Sequence, residues 1–136
     1  MSASAASLPL GAALAAVFVG AGCGGCLRHA LNQSLDRWLP AMPLGTLAAN
    51  LIGGYLIGAA MGLFAWRSEL SPLWRLLMVT GFLGGLTTFS TFSAEVINAF
   101  TRGETGWALV IAVSHLAGSL LLTLLGLATV RVLATP

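Results

Sequence analysis

The sequence predicts an all-α membrane protein of four spanning helices, the third of them broken, in a single transmembrane domain covering residues 1–136. Three observations carry that prediction. Of the 136 residues, 57% are hydrophobic and only 7% are charged, against about 25% charged in soluble domains. The mean hydropathy is +0.93, and a soluble fold of this size would lack the polar surface to stay in solution. The charges, six arginines and four acids with no lysine, fall in short clusters that separate long uncharged stretches. A helix needs about 20 apolar residues to cross the hydrocarbon core, and each stretch is long enough. The pattern disfavours a β-barrel, because the stretches are continuously apolar rather than alternating.

The first stretch runs uncharged from Met1 to Leu27 and predicts a helix over Leu8–Leu31. It has no basic residue ahead of its apolar run, as a secretory leader would, so it reads as a retained helix. Cys23 and Cys26 in "CGGC" read as small packing residues. Redox or metal chemistry would need a βαβ context or further ligands, and neither is visible.

The second stretch, Trp38 to Trp66, predicts a helix over Met42–Trp66. Gly54, Gly58 and Gly62 stack along one face, where helices, including those of a second copy, can approach closely. Asn50 is a carboxamide within this apolar span. Left unpaired in lipid it would cost several kcal/mol (about 2–7). It must therefore face a partner helix or a wet cavity.

The third stretch predicts a helix over Leu73–Phe100, but not a continuous one. In "GFLGGLTTFSTFSAE" (Gly81 to Glu95) three glycines are followed by five hydroxyl residues and two phenylalanines. Gly81, Gly84 and Gly85 permit backbone conformations closed to other residues, so the break is expected at the glycines. Thr87 and Thr88 are good N-cap types, so a new helix begins there. A break at membrane depth frees carbonyls that only protein or a bound ion can satisfy. Such carbonyls suit a small hard cation such as Na⁺. Phe89 and Phe92 share a helix face, and their ring edges are electropositive. Ser90, Thr91 and Ser93 add hydroxyl donors.

The fourth stretch, Thr105 to Val130, predicts a helix over Gly106–Leu133. His115, Ser119 and Thr123 recur along one of its faces. Each hydroxyl could be satisfied by its own i−4 carbonyl, but three in register indicate a face turned toward polar contents. Trp38, Trp66, Trp74 and Trp107 all fall at predicted helix ends, where amphipathic rings prefer the headgroup level.

Orientation is balanced. With four spans, Arg67, Arg75 and Arg131 lie on one side, and Arg28, Arg37 and Arg102 on the other. The positive-inside rule acts through an imbalance, and here there is none. The chain is expected to insert both ways and to assemble as an antiparallel homodimer, an inverted repeat made from two chains.

The quoted stretch, with "GTLAANLIGG" (Gly45 to Gly54) and "GGCLRHALN" (Gly24 to Asn32), closely resembles the CrcB/Fluc family of bacterial fluoride channels. The resemblance covers essentially the whole chain. It implies a multi-pass protein of the bacterial inner (plasma) membrane, a dual-topology homodimer with two narrow fluoride pores, and a structural Na⁺ at the dimer centre. By motif position the Na⁺ would be held by the backbone carbonyls of Gly84 and Thr87 from both copies. Phe89 and Phe92 would line the fluoride path, with Asn50 as an amide donor and Ser90 and Thr91 supplying hydroxyls. Ser119 and Thr123 match the family's polar track, and Arg28 matches an arginine near a water-filled vestibule. His115 matches no assigned position and stays outside the implied site. Glu95 matches, but as an acid near a helix end it is read as solvated.

These features imply a passive channel. No P-loop is present, no acid that could carry a proton is evident inside a span, and no nucleophile–base pair suggests an enzyme. The alternative, a small dual-topology multidrug-type transporter, needs an acid in its first helix, and this one has none. A non-conducting membrane subunit would leave Asn50, the broken helix and the fourth-helix polar line unexplained.

Overall fold

The computed structural model describes residues 8–134, so the domain read from the sequence extends past these at both ends. Among the described residues the protein is entirely helical. Helix α1 is Leu10–Leu35 and α2 is Leu44–Trp66. The third span, Pro72–Thr101, is divided. Its first part, α3 (residues 72–86), has a first turn Pro72–Arg75, a π-helical stretch Leu76–Leu83 and a last turn Gly84–Leu86. Its second part, α4, is Phe89–Thr101, and α5 is Thr105–Ala134. All four spans are long and apolar enough to cross a membrane.

The first helix runs four residues beyond its expected end. Nothing between Leu31 and Asp36 stops it, and the Ser34 hydroxyl folds back to donate to the Ala30 carbonyl at 2.7 Å. Trp38 follows, its Nε1 donating to the Ser34 carbonyl at 3.1 Å. Trp66 is the last residue of α2, with the Arg67 guanidinium 4.6 Å from its ring centroid. Phe18, Val113 and Leu124 are exposed along the spans, as side chains that meet lipid tails should be.

Lipid offers no hydrophobic drive to bring these helices together, so close backbone contact does it. Two crossings dominate. Helix α1 crosses α3 at Gly20, Gly24, Gly81 and Gly85. A Cβ at Gly24 would overlap the Phe82 carbonyl, and one at Gly85 the Ala21 carbonyl. Helix α2 crosses α5 through Gly54, Gly58 and Gly62. A Cβ at Gly58 would overlap the Thr123 carbonyl, while Gly126 meets the Tyr55 carbonyl from the other side. The glycine face of α2, which could have served a second copy, is therefore occupied within the chain. Two small apolar clusters complete the interior: Met42, Phe92, Ala99, Ala108 and Ile111 near one end, and Ala49, Leu83 and Leu86 at mid-depth.

Candidate functional site

The site forms where the third span is interrupted. The interruption is not at the glycines. Gly84 is helical (φ −63°, ψ −37°), and the sole positive-φ glycine among the described residues is Gly103. Thr87 (ψ 153°) and Thr88 (φ −152°, ψ 120°) are extended instead. Gly81 and Gly85 lack a Cβ so that α1 can approach, and not so that the backbone can turn. Thr88 is the N-cap of α4, its Oγ1 accepting from the Thr91 N–H at 3.2 Å.

Two extended residues at membrane depth need partners for their peptide groups, and Asn50 provides two of them. The Thr88 N–H donates to Asn50 Oδ1 at 2.8 Å, and Asn50 Nδ2 donates to the Thr88 carbonyl at 3.1 Å. Asn50 Nδ2 also lies 3.1 Å from His115 Nδ1. One carboxamide on α2 thus ties the break to α5. Both options left open for Asn50 apply, because it bonds across helices and also lines a cavity.

That cavity, of about 430 Å³, lies between α2, the break and α5. Asn50, Gly84, Thr87, Phe89, Phe92, Ser119 and Thr123 all line it, as do Thr88 and His115, and no charged side chain does. Phe92 is buried, whereas Phe89 is 73% exposed where the cavity opens. Their rings meet edge to face, centroids 5.4 Å apart at 67°. Phe92 also stacks on the His115 imidazole at 4.8 Å and 21°.

The remaining residues named from the sequence lie elsewhere or behave differently. Ser90 and Thr91 stand behind Thr88, their hydroxyl oxygens 3.3 and 3.1 Å from its Oγ1, and neither is part of the cavity wall. Thr123 donates its hydroxyl to the Ser119 carbonyl at 2.8 Å, the local bond open to any helical threonine. Arg28, half-buried on α1, is not on the wall either. Glu95 is not a solvated helix end. It sits midway along α4, inside the third span, and accepts a 2.6 Å hydrogen bond from the fully buried Thr46. The reading that no acid lies within a span is corrected by this position.

Sequence reasoning missed two participants. Thr88 was read only as a cap, yet its peptide group is what Asn50 holds. His115 was set aside, although its register with Ser119 and Thr123 already pointed it toward the polar face.

A cation held by Gly84 and Thr87 can be tested against this geometry. A helical Gly84 carbonyl would accept from the Thr88 N–H, which goes to Asn50 instead. A helical Thr87 carbonyl would accept from the Thr91 N–H, which goes to the Thr88 hydroxyl. Both named carbonyls have lost their ordinary donors to neighbours, so they fit the role. Among the described residues no three His, Cys, Asp or Glu side chains converge to bind a metal, so a cation here would rest on backbone oxygens, which suits Na⁺ better than Ca²⁺.

Comparison with known proteins places the chain among relatives. The family model described as CrcB-like protein, Camphor Resistance (CrcB), matches residues 15–127. The chain is 57% identical over 118 residues to the fluoride-specific ion channel FluC of Burkholderia cenocepacia, spanning 87% of this chain and 92% of that protein. It is 56% identical over 123 residues to the fluoride-specific ion channel FluC of Burkholderia thailandensis, spanning 90% and 96% respectively.

Proposed function

The chain belongs to the CrcB family, and from that membership we propose that it is a fluoride-specific ion channel of the bacterial plasma membrane. It lets fluoride leave the cell passively and lowers the cytoplasmic concentration. The observation that carries this reading is identity above one half, along nearly the whole chain, to proteins named as fluoride-specific channels.

The chemistry of the site agrees with it. Fluoride is small and tightly hydrated, so removing its water requires short donors close together. A fixed cation would bind it too firmly for release, since conduction needs moderate binding at several sites. The cavity wall offers phenylalanine edges and hydroxyl, amide and imidazole groups, and no charge. The absence of an acid from α1 disfavours the multidrug-type alternative.

In this reading the working unit is an antiparallel homodimer. The three-to-three split of arginines supports it, as does the exposure of Gly84 and Phe89 where the cavity opens. Gly84 and Thr87 of each copy would hold one Na⁺ on the dimer axis. When bound, that ion supplies positive charge to carbonyls deprived of N–H partners and so ties the copies together.

Purified protein in liposomes tests all three levels. Fluoride efflux well above the protein-free background, with none for chloride, is expected. Efflux equal to the background would end the channel reading. Efflux undiminished after prolonged replacement of Na⁺ by a large organic cation would remove the ion. Two or three lysines added at the C-terminus should fix one orientation and silence that protein expressed alone. Its full activity would exclude the antiparallel dimer.

A further inference from the structure

Away from the break, a second cavity of about 340 Å³ opens between α2 and α3. Leu56, Ala60 and Leu63 of α2 face Trp74, Met78 and Phe82 of α3 across it, and every side chain on its wall is apolar or aromatic. The groove exists because the glycine face of α2 is taken up by α5. Towards α3 the helix presents whole side chains, and these hold the two backbones apart. Leu56, Leu63, Trp74 and Met78 are exposed there, so no described residue fills the space. From Leu56 to Leu63 the groove follows α2 for about 10 Å, at a rise of 1.5 Å per residue.

One end of the groove reaches the headgroup level, where Trp66 closes α2 and Trp74 opens α3. Arg75 stands at that end. Its guanidinium lies 4.6 Å from the ring centroid of Phe64, and Phe64 belongs to the groove wall. Among the described residues no carboxylate pairs with Arg75, because Glu69, the acid of the preceding loop, lies 3.9 Å from Arg67 instead. Stacking on an aromatic ring holds a guanidinium in place and leaves its edge N–H groups for a phosphate. An apolar groove that ends at a cation without a counter-charge has the two-part chemistry of a phospholipid. Basic pockets between membrane helices are known to take anionic headgroups. A second copy is the other candidate occupant. Inserted antiparallel, it would bring the end bearing Arg28, Arg37 and Arg102 to this side and set cation near cation.

We propose that the α2–α3 groove binds an anionic phospholipid, with one acyl chain along Leu56, Ala60, Leu63 and Met78 and the phosphate on Arg75. The site stands apart from the fluoride path, since Leu83 alone is common to the two cavity walls. It does not depend on the channel reading. A chain inserted both ways would carry such a site in each leaflet.

Trp74 reports on the groove directly. The protein is reconstituted in phosphatidylcholine vesicles with a minor fraction of phosphatidylglycerol, and the acyl chains of one lipid or the other carry bromine. Bromine quenches tryptophan at close range, and the difference between wild type and Trp74→Phe isolates Trp74 among the four tryptophans. Brominated phosphatidylglycerol is expected to quench Trp74 as though enriched about fivefold beside it, the effect of one arginine on an anionic headgroup. Brominated phosphatidylcholine should quench only in proportion to its share of the bilayer.

Two variants then locate the lipid. Arg75→Gln should remove the enrichment, and Arg75→Lys, which keeps the charge, should retain most of it. Ala60→Phe fills the groove and should also remove it. Enrichment that survives Ala60→Phe would put the lipid elsewhere and overturn the proposal. The wild type decides the matter however the variants fold. Equal quenching by both lipids would mean that no headgroup is recognised. No quenching by either would mean that protein, such as a second copy, covers the groove. Each of these results would overturn the proposal.

Discussion

The third span meets its neighbours in two opposite ways. Before the break it is joined to α1 by absence: Gly20, Gly24, Gly81 and Gly85 bring backbone onto backbone with no side chain between. After the break it is joined to α2 and α5 by polar atoms, with Asn50 bonded to both peptide groups of Thr88 and also to His115. The first half gains van der Waals contact and nothing else. The second half leaves donors, ring edges and a cavity facing one another. A membrane protein has little hydrophobic effect to use between helices, so the rigid half has to be close-packed if the polar half is to keep its shape. Rigidity is built on one side of the span and chemistry on the other.

The largest effect expected from breaking this contrast is on the close-packed side. Gly24→Ala places a Cβ against the Phe82 carbonyl and the Leu86 amide. Backbone cannot swing aside like a flexible side chain, so a loss of about 1–3 kcal/mol or more is expected. It should appear as a fall in the yield of monodisperse protein and a lower melting temperature in detergent. Normal stability would mean that the α1–α3 crossing is looser than its geometry.

On the polar side the effect should fall on flux and spare the fold. Phe89→Ile and Phe92→Ile keep much of the volume but lose the electropositive edge. Each is expected to reduce fluoride efflux about tenfold or more, the rate equivalent of losing one favourable contact of about 1.4 kcal/mol. The proteins should run as the wild type does on a sizing column. Unchanged efflux in both would reduce the pair to packing.

The smallest effect sharpens the first. Gly22 lies two residues from Gly24 on the same helix, with nothing within 4 Å of a Cβ built on it. Gly22→Ala should cost no stability, and a helix-favouring gain of up to about 1 kcal/mol is available. Folded protein that no longer forms dimers would instead put Gly22 under a second copy.

Much of the fold was legible because the bilayer simplifies the code. Gaps between charges gave four spans to within a few residues, and Trp38, Trp66, Trp74 and Trp107 marked their ends. Thr88 was legible as a cap because its hydroxyl acts locally. The break was misplaced because lacking a Cβ has two uses, turning and close approach, and a sequence does not distinguish them. The π-helical stretch Leu76–Leu83 had no signature in a run of ordinary apolar residues. The bond from Asn50 to His115 spans 65 positions, so neither residue could name the other. Asn50 could only be said to need a partner. Glu95 was misread because its partner, Thr46, lies on another helix and is itself fully buried.

The bonds around Thr88 also set an order of events during synthesis. The ribosome delivers α2 before the broken span, so Asn50 is already in the membrane when Thr87 and Thr88 arrive. His115 is on α5 and comes last. Until then one Asn50 hydrogen has no acceptor, and the cavity has no wall on that side. An unsatisfied polar group in hydrocarbon costs several kcal/mol (about 2–7), enough to hold a nascent third span near the interface or the insertion machinery. The final helix is therefore the latch of the structure. A chain released before α5 should be a substrate for membrane proteases and not a partly working channel.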